Sequence, residues 1–165
     1  MVNVCVQQKD DDLYHERTRG DSVFDRFHRI LPIIQRPSLV WRVAKHHPYM
    51  LDTCVKVAKV IAEAPAKDEL LCEYCGCLFK DFLVHYICQC SETRQERDHF
   101  WNIRDNQVDI AFAAFLYNAE DCDFVDLLLG APCDFLDNID DHIHFLRMSF
   151  NYIAKVMDKV PCLNS

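Results

Sequence analysis

The stretch "CEYCGCLFKDFLVHYICQC", Cys72 to Cys90, sets five cysteines and one histidine within nineteen residues. A crowd of soft ligands this dense constrains a fold more than any composition, because a shared ion fixes which points of the chain must meet. Cys72-x2-Cys75 is the spacing at which two thiolates face one metal from a tight turn, and Gly76 lets the backbone make that turn. His85 follows after nine residues and Cys90 after four more. Cys72, Cys75, His85 and Cys90 therefore make a Cys3His set, the composition of a closed tetrahedral Zn2+ site that is structural because no coordination position is left open. On a regular helix His85 and Cys90 diverge, so they meet only where the chain leaves the 3.6-residue period. Cys88, at i+3 from His85, and Cys77 remain possible replacements for an assigned ligand. Leu78, Phe79, Phe82, Leu83 and Ile87 are expected to pack as a small core on the metal.

A disulfide cluster is the competing reading of ten cysteines. The N-terminal residues have no basic start, long apolar segment and cleavage site of a signal peptide, and no stretch approaches the roughly 20 apolar residues that span a bilayer. An intracellular location, cytoplasm or nucleus, with no membrane partner is expected, and there thiols stay reduced.

Around the cluster the pattern is helical. Three glycines leave few candidates for hairpin turns. Residues 1–20 read as a flexible polar tail, 21–66 as an N-terminal helical segment, 67–104 as the zinc-binding segment and 105–165 as a C-terminal helical segment, with 21–165 one compact unit. Phe24, Phe27, Ile30 and Leu31 mark a first helix before Pro32. "PSLVWRVAKHH" and "PYMLDTCVKVAKVIAEA" are the next two, the latter with Leu51, Cys54, Val55, Ala58 and Ile61 on one stripe. Ser91 is a candidate cap for the helix through Phe100 and Trp101. "VDIAFAAFLY" and "DFVDLLL" follow, the second stopped by Gly130. The last helix starts near Asp137 and carries Ile139, Ile143, Leu146, Phe150, Ile153, Met157 and Val160. Only "ELLCEY" suggests a strand. The fold class is mainly α: a small helical domain built around a Cys3His zinc knuckle, with a long C-terminal amphipathic helix.

Charge is uneven. Arg26, Arg29, Arg36, Arg42, Lys45, Lys56 and Lys59 face Asp52 alone, whereas the chain from Ser91 onward is strongly acidic, and the whole carries −8. The total excludes a chain that coats nucleic acid indiscriminately. A local strip, Arg29, Arg36, Arg42 and Lys45, with Trp41 and Tyr49 for stacking, is the candidate RNA- or DNA-binding surface. The acidic last helix, with Asp140, Asp141 and Asp158, is expected to point away from it.

"CEYCGCLFKDFLVHYICQCSETRQERDHFW" resembles the cysteine–histidine segment that follows the polymerase domain of non-LTR (LINE-type) retrotransposon reverse transcriptases. Cys72, Cys75, His85 and Cys90 match its four ligands, Arg94 or Arg97 its arginine and Trp101 its aromatic; the likeness extends loosely over residues 22 to 160. It implies a nucleic-acid-associated accessory region without the polymerase or endonuclease domains, whose catalytic motifs this chain lacks. No phosphate loop, nucleophile elbow or His-Glu-x-x-His motif is present, and Asp140, Asp141, His142 and His144 offer only a weak second metal pattern. A non-enzymatic module is expected. The alternatives are a structural or protein-interaction zinc domain with a protein partner, or a remnant without function.

Overall fold

The computed structural model describes residues 39–63, 66–105, 107–131, 133–136 and 138–160. The expected tail, the first helix and both Arg29 and Arg36 lie outside these residues. Among the described residues seven α-helices and one two-stranded sheet are formed, so the fold is mainly α.

The chain enters through α1 (Leu39–His46), crosses a 3-10 turn at Pro48–Met50 and continues as α2 (Leu51–Glu63). Pro48 serves at the start of that turn, where a missing N–H costs nothing. The face that α2 buries differs from the expected stripe. Cys54, Val57, Val60 and Ile61 are inside, while Leu51 and Val55 are each half exposed. Counting the stripe from Leu51 rotates it off the true one, because the 3-10 turn places Met50 in the core instead.

Strands β1 (Ala66–Leu71) and β2 (Leu78–Asp81) then pair antiparallel, Leu70 opposite Phe79 and Leu71 opposite Leu78. The Asp81 carboxylate ends the hairpin by accepting from Val84 N at 2.9 Å, capping the single turn α3 (Phe82–Val84). This runs straight into a π turn, His85–Gln89. Helix α4 (Arg94–Asp105) starts three residues after Ser91, which meets it through its backbone, Arg94 N donating to Ser91 O at 3.3 Å.

Asp109 caps α5 (Ile110–Asn118) by accepting from Ala111 N at 2.7 Å. Helix α6 (Asp121–Leu128) is closed by a Schellman arrangement. Ala131 N donates to Asp126 O and Gly130 N to Leu127 O, which requires the positive φ of +103° that Gly130 adopts. Asn138 caps α7 (Ile139–Asp158), the spine of the molecule. Ile143, Leu146, Phe150, Ile153 and Met157 are buried as the period demands, although Ile139 stays on the surface. Helix α7 packs against α1, α2, α4, α6 and the π turn, and α4 and α6 also contact the π turn, so three helices tie the cysteine–histidine segment to the rest. No described helix is long and apolar enough to cross a membrane.

Candidate metal centre

Two local devices aim four side chains at one point. The first is the hairpin turn. Cys72 N donates to Cys77 O and Gly76 N to Cys72 O, both at 2.9 Å, with Gly76 at φ +71°. A residue with a β-carbon would be strained there, and the turn so closed presents Cys72 and Cys75 together.

The second device is the π turn. In an α-helix the fifth residue on lies about 140° around the axis, so His85 and Cys90 would point apart. Here Cys90 N donates to His85 O at 2.7 Å, a hydrogen bond spanning five residues, and Cys90 itself is extended. The widened turn returns Cys90 to the side of His85. The H-x4-C spacing thus meets through a π turn at the helix end, and such turns are rare and frequently lie at functional sites.

The widened turn leaves carbonyls without helical partners, and burial makes that costly. Thr93 Oγ1 donates to Tyr86 O at 2.6 Å. Tyr152 Oη donates to Ile87 O at 2.5 Å, with Arg97 Nη1 a weaker second donor at 3.4 Å. Arg97 Nη2 reaches Cys90 O at 3.3 Å. Of the two arginines the resemblance allowed, Arg97 is the one on the centre; Arg94 pairs with Asp98 on the surface. Phe79 stacks on the His85 ring, centroids 4.4 Å apart and planes 6° from parallel, fixing the imidazole's rotation. Phe82, Leu83 and Ile87 complete the expected small core, but Leu78 is exposed because its strand register turns it outward.

The ligand atoms of Cys72, Cys75, His85 and Cys90 all lie within 4.8 Å of one another, close enough to hold a metal ion. Tetrahedral zinc with bonds of about 2.3 Å to sulfur and about 2.0–2.1 Å to nitrogen has S–S edges of roughly 3.8 Å and S–N edges of roughly 3.6 Å. Cys72 Sγ and Cys90 Sγ are 3.8 Å apart, and Cys75 Sγ is 3.5 Å from His85 Nε2. A disulfide needs about 2.05 Å, and all eight described cysteines are free thiols. Cys77 and Cys88 stay out of the group: their sulfurs lie 3.9 Å from Cys75 O and Asp121 O.

The two buried thiols of the group are shifted in opposite directions. Burial raises the Cys72 thiol, but hydrogen bonds from the Cys75 backbone, the Tyr86 hydroxyl and His85 outweigh it and bring the group down to about 6. Burial and the neighbouring Cys72 and Cys75 sulfurs push Cys90 up to about 11, against a backbone hydrogen bond at Glu92. Neighbouring thiolates disfavour one another here, and a divalent cation would relieve that repulsion as the ligands lose protons.

The other expected residues fall elsewhere. Arg42 is half-buried and Lys45 exposed on α1, one turn apart, with Trp41 and Tyr49 exposed nearby. His142 is buried, and the Asp140, Asp141, His142 and His144 pattern brings no ligand set together among the described residues. Glu120, Cys122 and Asp123 do approach one another, at the start of α6, where acidic side chains complement the helix dipole without an ion. Thr93 and Tyr152 are the supports the sequence did not signal. Thr93 looks like an ordinary pre-helix residue, and Tyr152 lies 65 residues from the carbonyl it serves. No protein-family model matches the chain, and neither curated proteins nor solved structures give a match.

Proposed function

We propose that Cys72, Cys75, His85 and Cys90 hold one structural Zn2+, and that the chain is a zinc-stapled helical accessory module that associates with nucleic acid. The observation that carries the metal reading is the agreement of the 3.8 Å and 3.5 Å ligand separations with the edges of a zinc tetrahedron. The bound ion neutralises the buried thiolates and ties the hairpin to the π turn. The nucleic-acid half of the proposal follows the resemblance to the retroelement segment, and is supported by Arg42 and Lys45 beside the exposed rings of Trp41 and Tyr49.

The test has two parts. Metal analysis of purified protein should find one equivalent of zinc; well under one, with no uptake on titration, removes the metal reading. Binding to a labelled single-stranded RNA should weaken with salt, since each neutralised phosphate contributes a logarithmic slope of about −0.7. Absence of salt-sensitive binding favours a second reading, a protein-interaction module. That reading has its own support in Leu71, Tyr74 and Leu78, three exposed apolar side chains on the hairpin beside the centre.

A further inference from the structure

The last helix was expected to be an acidic surface turned from any polyanion. Its acids, however, sit at its ends. Asp140 and Asp141 occupy the first turn, and Asp158 forms an ion pair with Lys56. Residues 142 to 157 contain no acidic side chain. Within them Arg147, Asn151 and Lys155 recur every four residues and so share one face.

That face borders a cavity of about 310 Å³ between α4 and α7. Phe100, Met148 and Tyr152, all buried, belong to its wall, and Tyr49 stands at its edge with 71% of its surface exposed. The polar lining is Arg147, Lys155 and Asn151 from α7, with His99, Gln107 and Glu96 from α4 and just beyond. Glu96 is the one acid, and Lys159 is bound to it at 2.8 Å. Arg147 contacts His144 at 3.2 Å, and Lys155 lies near enough to Glu96 to help Lys159 hold that carboxyl below its ordinary range. In a protein of net charge −8, two cations sharing one cavity with aromatic walls are not the average surface.

Two fixed cations call for an anion, the amides of Asn151 and Gln107 for hydrogen-bonding edges, and the aromatic boundary for a flat apolar ring. The volume suits one small ligand rather than a helix. A nucleotide has all three features: phosphate, base edge and base plane. We propose that this cavity is a nucleotide-binding site, in which Arg147 and Lys155 take the phosphate and Tyr49 stacks on the base, and that it accepts one unit of a single strand. The strand as source rests on the nucleic-acid reading above; the cavity chemistry does not. The site is also joined to the metal centre, because Tyr152 lines the cavity while its hydroxyl donates to Ile87 O in the π turn.

The test measures binding of zinc-loaded full-length protein to a fluorescein-labelled 12-nucleotide oligo(U) by anisotropy, and to AMP and inorganic phosphate by calorimetry. The double variants Arg147→Gln/Lys155→Gln and Arg42→Gln/Lys45→Gln are compared with the parent, with zinc content and melting temperature as folding checks. Arg147→Gln/Lys155→Gln should weaken both oligo(U) and AMP at least tenfold and make the salt slope about 1.4 less steep. Tyr49→Ala should weaken AMP but leave inorganic phosphate unchanged. A folded Arg147→Gln/Lys155→Gln protein that binds both probes like the parent overturns the cavity site. If only Arg42→Gln/Lys45→Gln loses oligo(U), the nucleic-acid reading stands and this inference falls. AMP binding without oligo(U) binding keeps the cavity and sinks the strand. A parent that binds neither probe overturns both.

Discussion

Tyr152→Phe isolates the support that α7 gives the π turn of the candidate metal centre. The ring and its packing are kept, including the stack on Phe100 at 4.8 Å, so no cavity opens. What is lost is the hydroxyl that donates to Ile87 O. Leaving a buried acceptor without its partner costs about 1–3 kcal/mol. Arg97 Nη1, 3.4 Å from the same oxygen, remains as a weak donor and holds the loss to the lower part of that range, about 1–1.5 kcal/mol. For a domain of this length each kcal/mol is worth about 2–4 °C, so the melting temperature should fall by about 3–5 °C. Because the affected carbonyl lies inside the turn that unites His85 with Cys90, part of the loss should appear in metal affinity. Up to about tenfold weaker zinc binding is expected for 1.4 kcal/mol. Melting followed by circular dichroism, with zinc and with excess chelator, and competition against a chromophoric chelator measure the two effects. Burial pushes the Tyr152 phenol well above its ordinary value, so the donor keeps its proton throughout the assay range. A melting temperature within 1 °C of the parent, together with unchanged zinc affinity, would refute the claim that α7 buttresses the π turn.

Further outcomes follow from other residues. Cys72→Ser, Cys75→Ser, His85→Ala and Cys90→Ser should each lose the zinc equivalent, whereas Cys77→Ser and Cys88→Ser keep it; equal damage from Cys88→Ser and Cys90→Ser by metal analysis contradicts the π-turn assignment. Gly76→Ala meets no atom within 4 Å, so its cost is the backbone's alone at φ +71°, about 1–2 kcal/mol. Gly76→Asn should recover part of that cost, and equal melting temperatures for both variants and the parent would argue against a strained turn. Burial lowers the His142 pKa below its ordinary 6.5, so the folded state prefers the neutral ring. The sign is that this contribution is complete above pH 6.5 and is lost as pH falls through the depressed folded value. Denaturant titrations at pH 5 and 7 should show a smaller pH dependence in His142→Gln; an identical dependence rejects the role.

How much of this was legible in the sequence differs between the fold and the centre. The helices are marked by their period, and Gly130 stops α6 where the pattern places it, whereas the caps Asn138 and Asp109 were not singled out in the sequence. The buried face of α2 was misread because a 3-10 turn shifts the phase before Leu51, and periodicity carries no record of such a slip. The four residues that come together, Cys72, Cys75, His85 and Cys90, could be named from spacing alone. The supports Thr93 and Tyr152 could not, since they act through hydrogen bonds to carbonyls, and every residue has a carbonyl. The basic face of α7 was hidden for a different reason. A net charge summed over the C-terminal third averages acids at the helix ends with cations in its middle.

The position of α7 in the chain bears on the order of assembly. The four ligands span nineteen residues, a short loop whose closure entropy is small and grows only slowly with length. The contacts of α7 reach back much further, as in the pairing of Lys56 with Asp158 across 102 residues. During synthesis at about 5–20 residues per second, the hairpin and π turn emerge seconds before the helix that packs on the π turn and on α1 and α2. With the proposed ion, the cysteine–histidine segment would take up its metal on a nascent chain that has no finished core, and α7 would close the rest around a piece already set.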